Sequence, residues 1–410
     1  MVITNPQKVE EVLTRRVDKI LPSKKALKKL LLSGKKIRLY QGFDPTGYRL
    51  HLGHIIGLKK LMEFANLGHE VIFLFGTGTV LAGDPSQRER GRGRTLLETS
   101  EKDLQKVINK NIKDWKKQTS QIVDFKNPNV KIKKNGDWLC KLSLKDVLNI
   151  ASHISSVQLF KRDMFQKRIK RGDTVWTHEV LYPLLQGYDS VYMDVDLEIG
   201  GTDQEFNMLI GRELLHKMKG KEKFILTVPM ILGTDGKQMS KTSGNCVWLD
   251  DSAKDMFGKL MSIPDEQTIS YMELVSDIPI EEVEKIKKGL GSKKIHPMKA
   301  KKKLGLAVTK QFHGEKKAQE AQKHFERVFQ KRKIPKKSPF FPIKKLPQNP
   351  INIIDLLVET KLATSRSQAK RLVKQKAVKI NNETIEQLSN VTIKSGNIIH
   401  IGKKKWLKTK

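Results

Sequence analysis

From Lys36 to Phe75 the sequence sets out a strand, a helix and a strand in direct succession, and this order restricts the fold more than any other feature. Lys36 to Tyr40 is a short strand-like run, followed by the turn Gly42-Phe43-Asp44-Pro45-Thr46. Apolar residues then return at helical spacing through Leu58, Leu61, Met62 and Phe64, and Gly68 closes the segment. Val71 to Phe75 is apolar on both faces, which is how a parallel strand covered on both sides reads. Two parallel strands need a crossover between them, so this is a βαβ unit, and an α/β fold with a doubly wound parallel sheet is expected. Ligands in such sheets bind beyond the carboxyl ends of the strands.

Ahead of this unit, Val9 to Leu32 shows apolar residues at helical spacing among basic ones. Helical periodicity resumes from Leu97 to Trp115 and from Leu144 to Ile169, and Val191 to Leu197 and Phe224 to Val228 read as further strands. Residues 1–250 form the catalytic-looking part. Residues 251–329 are charged with helical spacing and predict a small helical domain, and 330–350 are rich in Lys and Pro, which reads as an exposed linker. Residues 351–410 form a third unit. In it Ser365 and Gln368 make a capping-box signature before a short helix with an apolar stripe of Ala369, Leu372 and Val373. Arg366, Lys370, Arg371 and Lys374 occupy its other face, and Ala377 to Ile380 and Asn397 to Ile401 read as strands.

Charge points toward the partner. Lys and Arg number 79 against 44 Asp and Glu in 410 residues, a net charge of +35. Such an excess repels itself unless a polyanion binds, and nucleic acid is the first candidate, although a Lys-rich composition also makes a merely solvated surface. Cys140 and Cys246 stand far apart in the sequence without a second pair, which supports neither a disulfide framework nor a Cys-based zinc site and fits a reducing, cytoplasmic setting. No apolar run is long enough to span a bilayer, and the N-terminus does not read as a signal peptide.

Two elements carry nucleotide chemistry. His51-Leu52-Gly53-His54 falls in the first turn of the expected helix, where free N–H groups and positive partial charge receive phosphates, and Gly53 permits close approach of a base. Read alone, the tetrad also fits a metal site, for which local spacing marks no third ligand, or plain surface. Lys237-Gln238-Met239-Ser240-Lys241-Thr242-Ser243 lies on a Gly-flanked loop, from which a lysine can swing onto a triphosphate. Between these elements, Tyr182, Gln186 and Asp189 are spaced to share one helical face, presenting a phenol, an amide and a carboxylate to a common pocket.

Together and in this order, the two elements resemble the HIGH and KMSKS signatures of class I aminoacyl-tRNA synthetases. Tyr182-Pro183-Leu184-Leu185-Gln186-Gly187-Tyr188-Asp189 and Gly200-Gly201-Thr202-Asp203-Gln204 resemble motifs of the tyrosyl branch, as do Tyr40 to Thr46 and Gly83-Asp84-Pro85-Ser86. The resemblance implies a Rossmann-like doubly wound parallel sheet of the HUP type, followed by a helical domain near the anticodon stem and a small α+β S4-like RNA-binding domain. It implies tyrosine activation by ATP, with Mg²⁺ accompanying the nucleotide and no metal held by the protein, and then transfer to tRNA(Tyr) by a homodimer. By the same resemblance, Tyr40 and Asp189 bind the substrate phenol, and Tyr182, Gln186 and Asp84 its ammonium. Asp44 joins the tyrosine site and Gln204 lies near the reacting tyrosyl group. His51, His54 and Lys241 act on the phosphates, Asp203 holds the ribose, Gly42, Gly53 and Gly201 leave room for ATP, and Met239 and Ser240 belong to the ATP loop.

The sequence departs from the family pattern in two places. Gln238 replaces the first Lys of KMSKS, with Lys237 one place earlier and Thr242 for the final Ser. Gln87-Arg88 stands where many relatives have Gly-Lys, which makes Arg88 or Arg92 candidates for phosphate or tRNA contact. The basic helix near the C-terminus fits phosphate-backbone binding, and Trp406 in the basic tail fits either base stacking or packing on its own domain.

Overall fold

The computed structural model describes residues 1–84, 101–239, 244–330, 339–381, 383–402 and 405–410, with the backbone alone at 101, 102, 104, 329, 330 and 405. The chain divides into two compact units, Met1–Ala318 and Gln319–Lys410. The first is built on a six-stranded sheet comprising β1 (Lys19–Leu21), β2 (Arg38–Phe43), β3 (Glu70–Phe75), β4 (Val130–Lys134), β5 (Leu197–Gly201) and β6 (Phe224–Val228). Their spatial order is β1-β6-β5-β2-β3-β4. All neighbours are parallel except β1, which runs antiparallel to β6 at one edge.

The chain winds outward from β2 through β3 to β4, then returns to the other side of β2 with β5 and β6. The order therefore reverses between β2 and β5, and the crevice at the carboxyl ends of that pair is where such folds hold ligands. Helices Leu52–Asn66, Thr177–Met193 and Glu205–Lys219 connect or flank these strands. Helices Ala253–Ser262, Thr268–Val275, Ile280–Gly291 and Pro297–His313 follow, and their Met256, Leu260, Met272 and Leu304 share one apolar cluster with Leu39, Val71 and Leu226 of the sheet.

Three strands differ from expectation. Val191 to Leu197 is not a strand: the helix from Thr177 runs to Met193 and stops at Asp194, whose φ of 52° is left-handed. Alternating Val191, Met193, Val195 and Leu197 imitated a strand, but Leu184, Tyr188 and Val191 also meet the helical period. The strand itself is Leu197-Glu198-Ile199-Gly200-Gly201, disguised by its glycines and its acid. The segment Val9 to Leu32 is not helical throughout, because β1 interrupts it just before Pro22, and Lys-rich β4 was hidden by its composition.

The second unit has its own core of Ile351, Ile353, Leu356, Leu357, Ala369, Val373, Val378, Ile399 and Leu407. Its main sheet orders the strands Glu383–Thr384, Val378–Ile380, Ile398–Ile401, Lys405–Thr409 and Phe340–Phe341, so pairing begins inside the Lys/Pro-rich stretch. Ser365 caps helix Arg366–Lys374 by accepting from the Gln368 amide, while Gln368 reaches back to Thr364 rather than to Ser365. Arg366, Lys370, Arg371 and Lys374 are all exposed, and Arg366 pairs with Asp355. Trp406 stacks on His400 at 4.2 Å, within its own sheet.

Candidate active site

The first site element is the start of helix Leu52–Asn66. His51 is its N-cap: Nδ1 of His51 accepts from the Gly53 amide, and Nδ1 of His54 lies 3.2 Å from the His51 amide. The two rings are 3.9 Å apart, so both imidazoles border the same helix terminus. A bridge between His51 and Trp248, flanked by hydrogen bonds from Leu52 to Val247 and from Leu249 to Leu50, ties this terminus to the chain leaving the KMSKS-like loop. Leu232 and Gln238 bridge at the base of that loop, where Asn245 donates to Asp235 and to the Gln238 carbonyl. Met239 is buried, and Ser240 and Lys241 lie outside the described residues. So do Arg88 and Arg92.

The second element is the face that helix Thr177–Met193 turns toward β2 and β5. Asp189 is buried, and its two carboxylate oxygens accept from Trp138 Nε1 at 2.9 Å and Asn135 Nδ2 at 3.0 Å. Burial pushes its pKa well above the usual carboxylate range, against those two hydrogen bonds. Asn135 also donates to Thr79, which donates to Asp44 at 2.8 Å, and the Tyr182 hydroxyl donates to the other Asp44 oxygen at 2.9 Å. Burial, reinforced by nearby Asp84, holds the Asp44 pKa up at about 7 despite these donors.

Tyr40 and Glu198 are register neighbours on β2 and β5. The wholly buried Tyr40 hydroxyl meets Ser190 Oγ at 2.9 Å, and Ser190 accepts from Lys223 at 2.7 Å and donates to Glu198 at 3.3 Å. Lys223 also pairs directly with Glu198, and Gln186 donates to the other Glu198 oxygen at 3.1 Å. Lysine only donates and carboxylate only accepts, so the assignment that uses every proton has Tyr40 donating inward to Ser190. The Tyr40 oxygen is then left as an acceptor on its other side. Gly211 makes room for the lysine, since a Cβ there would stand 2.8 Å from Lys223 Nζ.

The third element is the turn after β5. Gln204 donates to Asp84 and to Asp203, each at 3.0 Å, and Asn207 links Gln204 to Gln186. Gly42, at the end of β2, has open space where a side chain would stand. At Gly53 a Cβ would lie 3.0 Å from the His51 ring, and at Gly201 2.5 Å from the Asp203 carboxylate.

The family model described as tRNA synthetases class I (W and Y) matches residues 32–330, and the Tyrosine--tRNA ligase SYY-like C-terminal domain matches residues 334–407. The chain belongs to the class I tRNA synthetases of the W and Y family. It is 40% identical to the tyrosine--tRNA ligase of Thermotoga maritima over 98% of this chain and 97% of that one. With the tyrosine--tRNA ligase of Dehalococcoides mccartyi it shares 38% identity over 98% of both chains. Among solved structures, the truncated mitochondrial tyrosyl-tRNA synthetase of Aspergillus nidulans aligns with a TM-score of 0.63 at 20% identity, covering 79% of this chain and 98% of that one. The tyrosyl-tRNA synthetase of Archaeoglobus fulgidus, complexed with L-tyrosine, gives 0.60 at 19% identity, covering 78% of this chain and all of that one. At those identities the structures speak for the fold.

In this class I synthetase the structure brings Tyr40, Asp44, Asp84, Tyr182, Gln186, Asp189, Asp203 and Gln204 around the crevice between β2 and β5. Sequence reading missed Thr79, Asn135, Trp138, Ser190, Glu198, Asn207 and Lys223. An acid and a lysine beside apolar strands were the only visible trace of the Glu198 and Lys223 pair. Nothing local in Asn135 or Trp138 announces Asp189 as their partner.

Proposed function

We propose that this chain is a tyrosine--tRNA ligase that activates L-tyrosine with ATP and charges tRNA(Tyr). The observation that carries the reading is the end of the pocket, where Asp189, held by two neutral N–H donors, lies close to a Tyr40 oxygen turned to accept. A phenol donates its proton there, whereas phenylalanine leaves buried acceptors unpaired. Synthetases that select tyrosine are themselves the standard example of this kind of discrimination.

The tyrosine carboxylate attacks the ATP α-phosphorus, a carboxylate–phosphorus bond forms, and pyrophosphate leaves. A hydroxyl of the tRNA 3′-terminal ribose then attacks the tyrosyl carbonyl and AMP departs. In this reading Asp44, Asp84, Tyr182 and Gln186 surround the ammonium, Gln204 the reacting group and Asp203 the ribose. His51, His54 and Lys241 would act on the phosphates, and Gly42, Gly53, Gly201, Met239 and Ser240 would belong to the ATP site. Mg²⁺ would come with ATP, since it keeps much of its water and binds through substrate phosphates.

Residues 1–250 would supply catalysis, 251–329 the anticodon-stem contact, and 351–410, with strand Phe340–Phe341 added to its sheet, RNA binding through Arg366, Lys370, Arg371 and Lys374. A homodimer is supported by the exposed Leu144, Leu148 and Val157, at 74%, 61% and 69% exposure, on neighbouring helices that otherwise present unusual apolar surface to water. No helix among the described residues is long and apolar enough to cross a membrane, and action in the cytoplasm is part of this proposal.

Amino-acid-dependent ATP–pyrophosphate exchange with tyrosine, tryptophan and phenylalanine tests the reading. Exchange with tyrosine alone, lost in Asp189→Ala, is expected. Exchange with tryptophan would keep the family and overturn the specificity, and no exchange from folded protein would overturn the activity.

A further inference from the structure

Arg162 precedes helix Asp163–Lys170 as its N-cap and is only 5% exposed. Its guanidinium lies 5.7 Å from the Phe165 ring and 5.8 Å from the Phe206 ring. Among the described residues its nearest acid is Asp84, with Nη2 3.8 Å from Oδ1, beyond hydrogen-bond range. Neither Nη1 nor Nη2 has a hydrogen-bond partner among the described residues. A buried guanidinium with both terminal nitrogens unbonded among the described residues is costly to keep, because it has given up water without replacement there.

The position gives the cost a use. Gln204 donates to the second Asp84 oxygen and to Asp203, so one amide spans the two acids, and the charges of both act on Arg162. If Asp84 receives the substrate ammonium and Asp203 the ribose, the atoms between them are the amino-acid carboxylate and the α-phosphate. That is where negative charge concentrates as the carboxylate–phosphorus bond forms and the bond to pyrophosphate breaks. Arginine presents a planar fork of donors suited to two oxygens of one carboxylate or phosphate.

We propose that Arg162 is a catalytic residue of the activation step, its terminal N–H groups taking the carboxylate and α-phosphate oxygens of the reacting pair. This rests on the tyrosine-activating reading above. The guanidinium replaces no nucleophile and moves no proton. It stabilises the anion in the transition state and in the adenylate more than it stabilises free tyrosine.

The test is tyrosine-dependent pyrophosphate exchange by the full-length chain, wild type beside Arg162→Gln and Arg162→Lys, with tyrosine binding measured separately at equilibrium. Loss of one preorganised donor at a developing oxyanion lowers kcat by roughly 10²–10³-fold. That loss is expected in Arg162→Gln, with the tyrosine KM and Kd held within about threefold. Arg162→Lys keeps the charge without the fork, and a kcat at least about tenfold below wild type is expected. If Arg162 merely props Asp84, the tyrosine KM and Kd will rise while kcat stays, and the proposal is overturned. Should Arg162→Gln not fold, the lysine variant decides alone, since a kcat equal to wild type in it refutes the role. Failure of the wild type to exchange with tyrosine sinks the functional reading itself, and this proposal with it.

Discussion

Lys223→Met should destabilise the first unit far more than its single lost ion pair suggests. Lys223 is 1% exposed and Glu198 2%, so the substitution strands a buried carboxylate whose remaining donors are Gln186 at 3.1 Å and Ser190 at 3.3 Å. Breaking one side of a buried pair costs about 3–5 kcal/mol, because the other charge stays behind uncompensated. Unfolding entropy is roughly 2 cal/mol/K per residue, so across a unit running from Met1 to Ala318 the loss amounts to a fall in Tm of about 4–8 °C. The pair Lys223→Met with Glu198→Gln removes both charges and should recover most of that fall. Scanning calorimetry of the full chain, following the transition of the larger unit, measures both variants. A single variant that melts within about 1 °C of wild type, or a double variant no better than the single, would refute the argument that the charges compensate each other.

Under the proposed reading, Asp44 should make tyrosine binding depend on pH. Its folded pKa of about 7 is raised, so the contribution of its protonated form to stability is complete below the ordinary carboxyl value and is lost as pH rises through about 7. A bound ammonium prefers the carboxylate, and tyrosine affinity should therefore climb between about pH 6 and 8 with proton release visible by titration calorimetry in buffers of different ionisation heat. Asp44→Asn should flatten both responses, and a slope retained in that variant would remove Asp44 from the argument. Asp189→Asn turns an NH₂ toward either Trp138 or Asn135, and one buried N–H left without its acceptor predicts a fall of roughly 5–150-fold in kcat/KM for tyrosine. In the C-terminal unit, Ser365→Ala removes the acceptor of the Gln368 amide and should cost about 1 kcal/mol, read as faster hydrogen exchange over residues 366–374. Lys370→Ala and Arg371→Ala should each reduce the salt slope of tRNA binding by about 1.

The parts of this fold that were legible in the sequence are those whose pattern is local. Leu52–Asn66 announces itself through apolar spacing closed by Gly68, and Glu70–Phe75 through an apolar run too short for a helix. The spacing of Tyr182, Gln186 and Asp189 anticipated a shared helical face because the helical period alone determines it. By contrast, β5 carries a buried acid and two glycines, and no local rule credits such a strand until Lys223 and Tyr40 are brought beside it from distant parts of the chain. Arg162 was invisible for the same reason: a solvated arginine and a buried one look alike before the chain folds.

Asn135 has a consequence that extends beyond Asp189. One side-chain amide touches Asp189 at the phenol end of the pocket and Thr79, the donor to Asp44, at the other, while its own oxygen is pinned by the Gly78 amide. Those contacts make a strut of fixed length between the two acids. Under the proposed tyrosine reading, that strut sets how far a phenol hydroxyl stands from an ammonium, and a substrate one methylene longer or shorter is expected to fail even when it carries both groups.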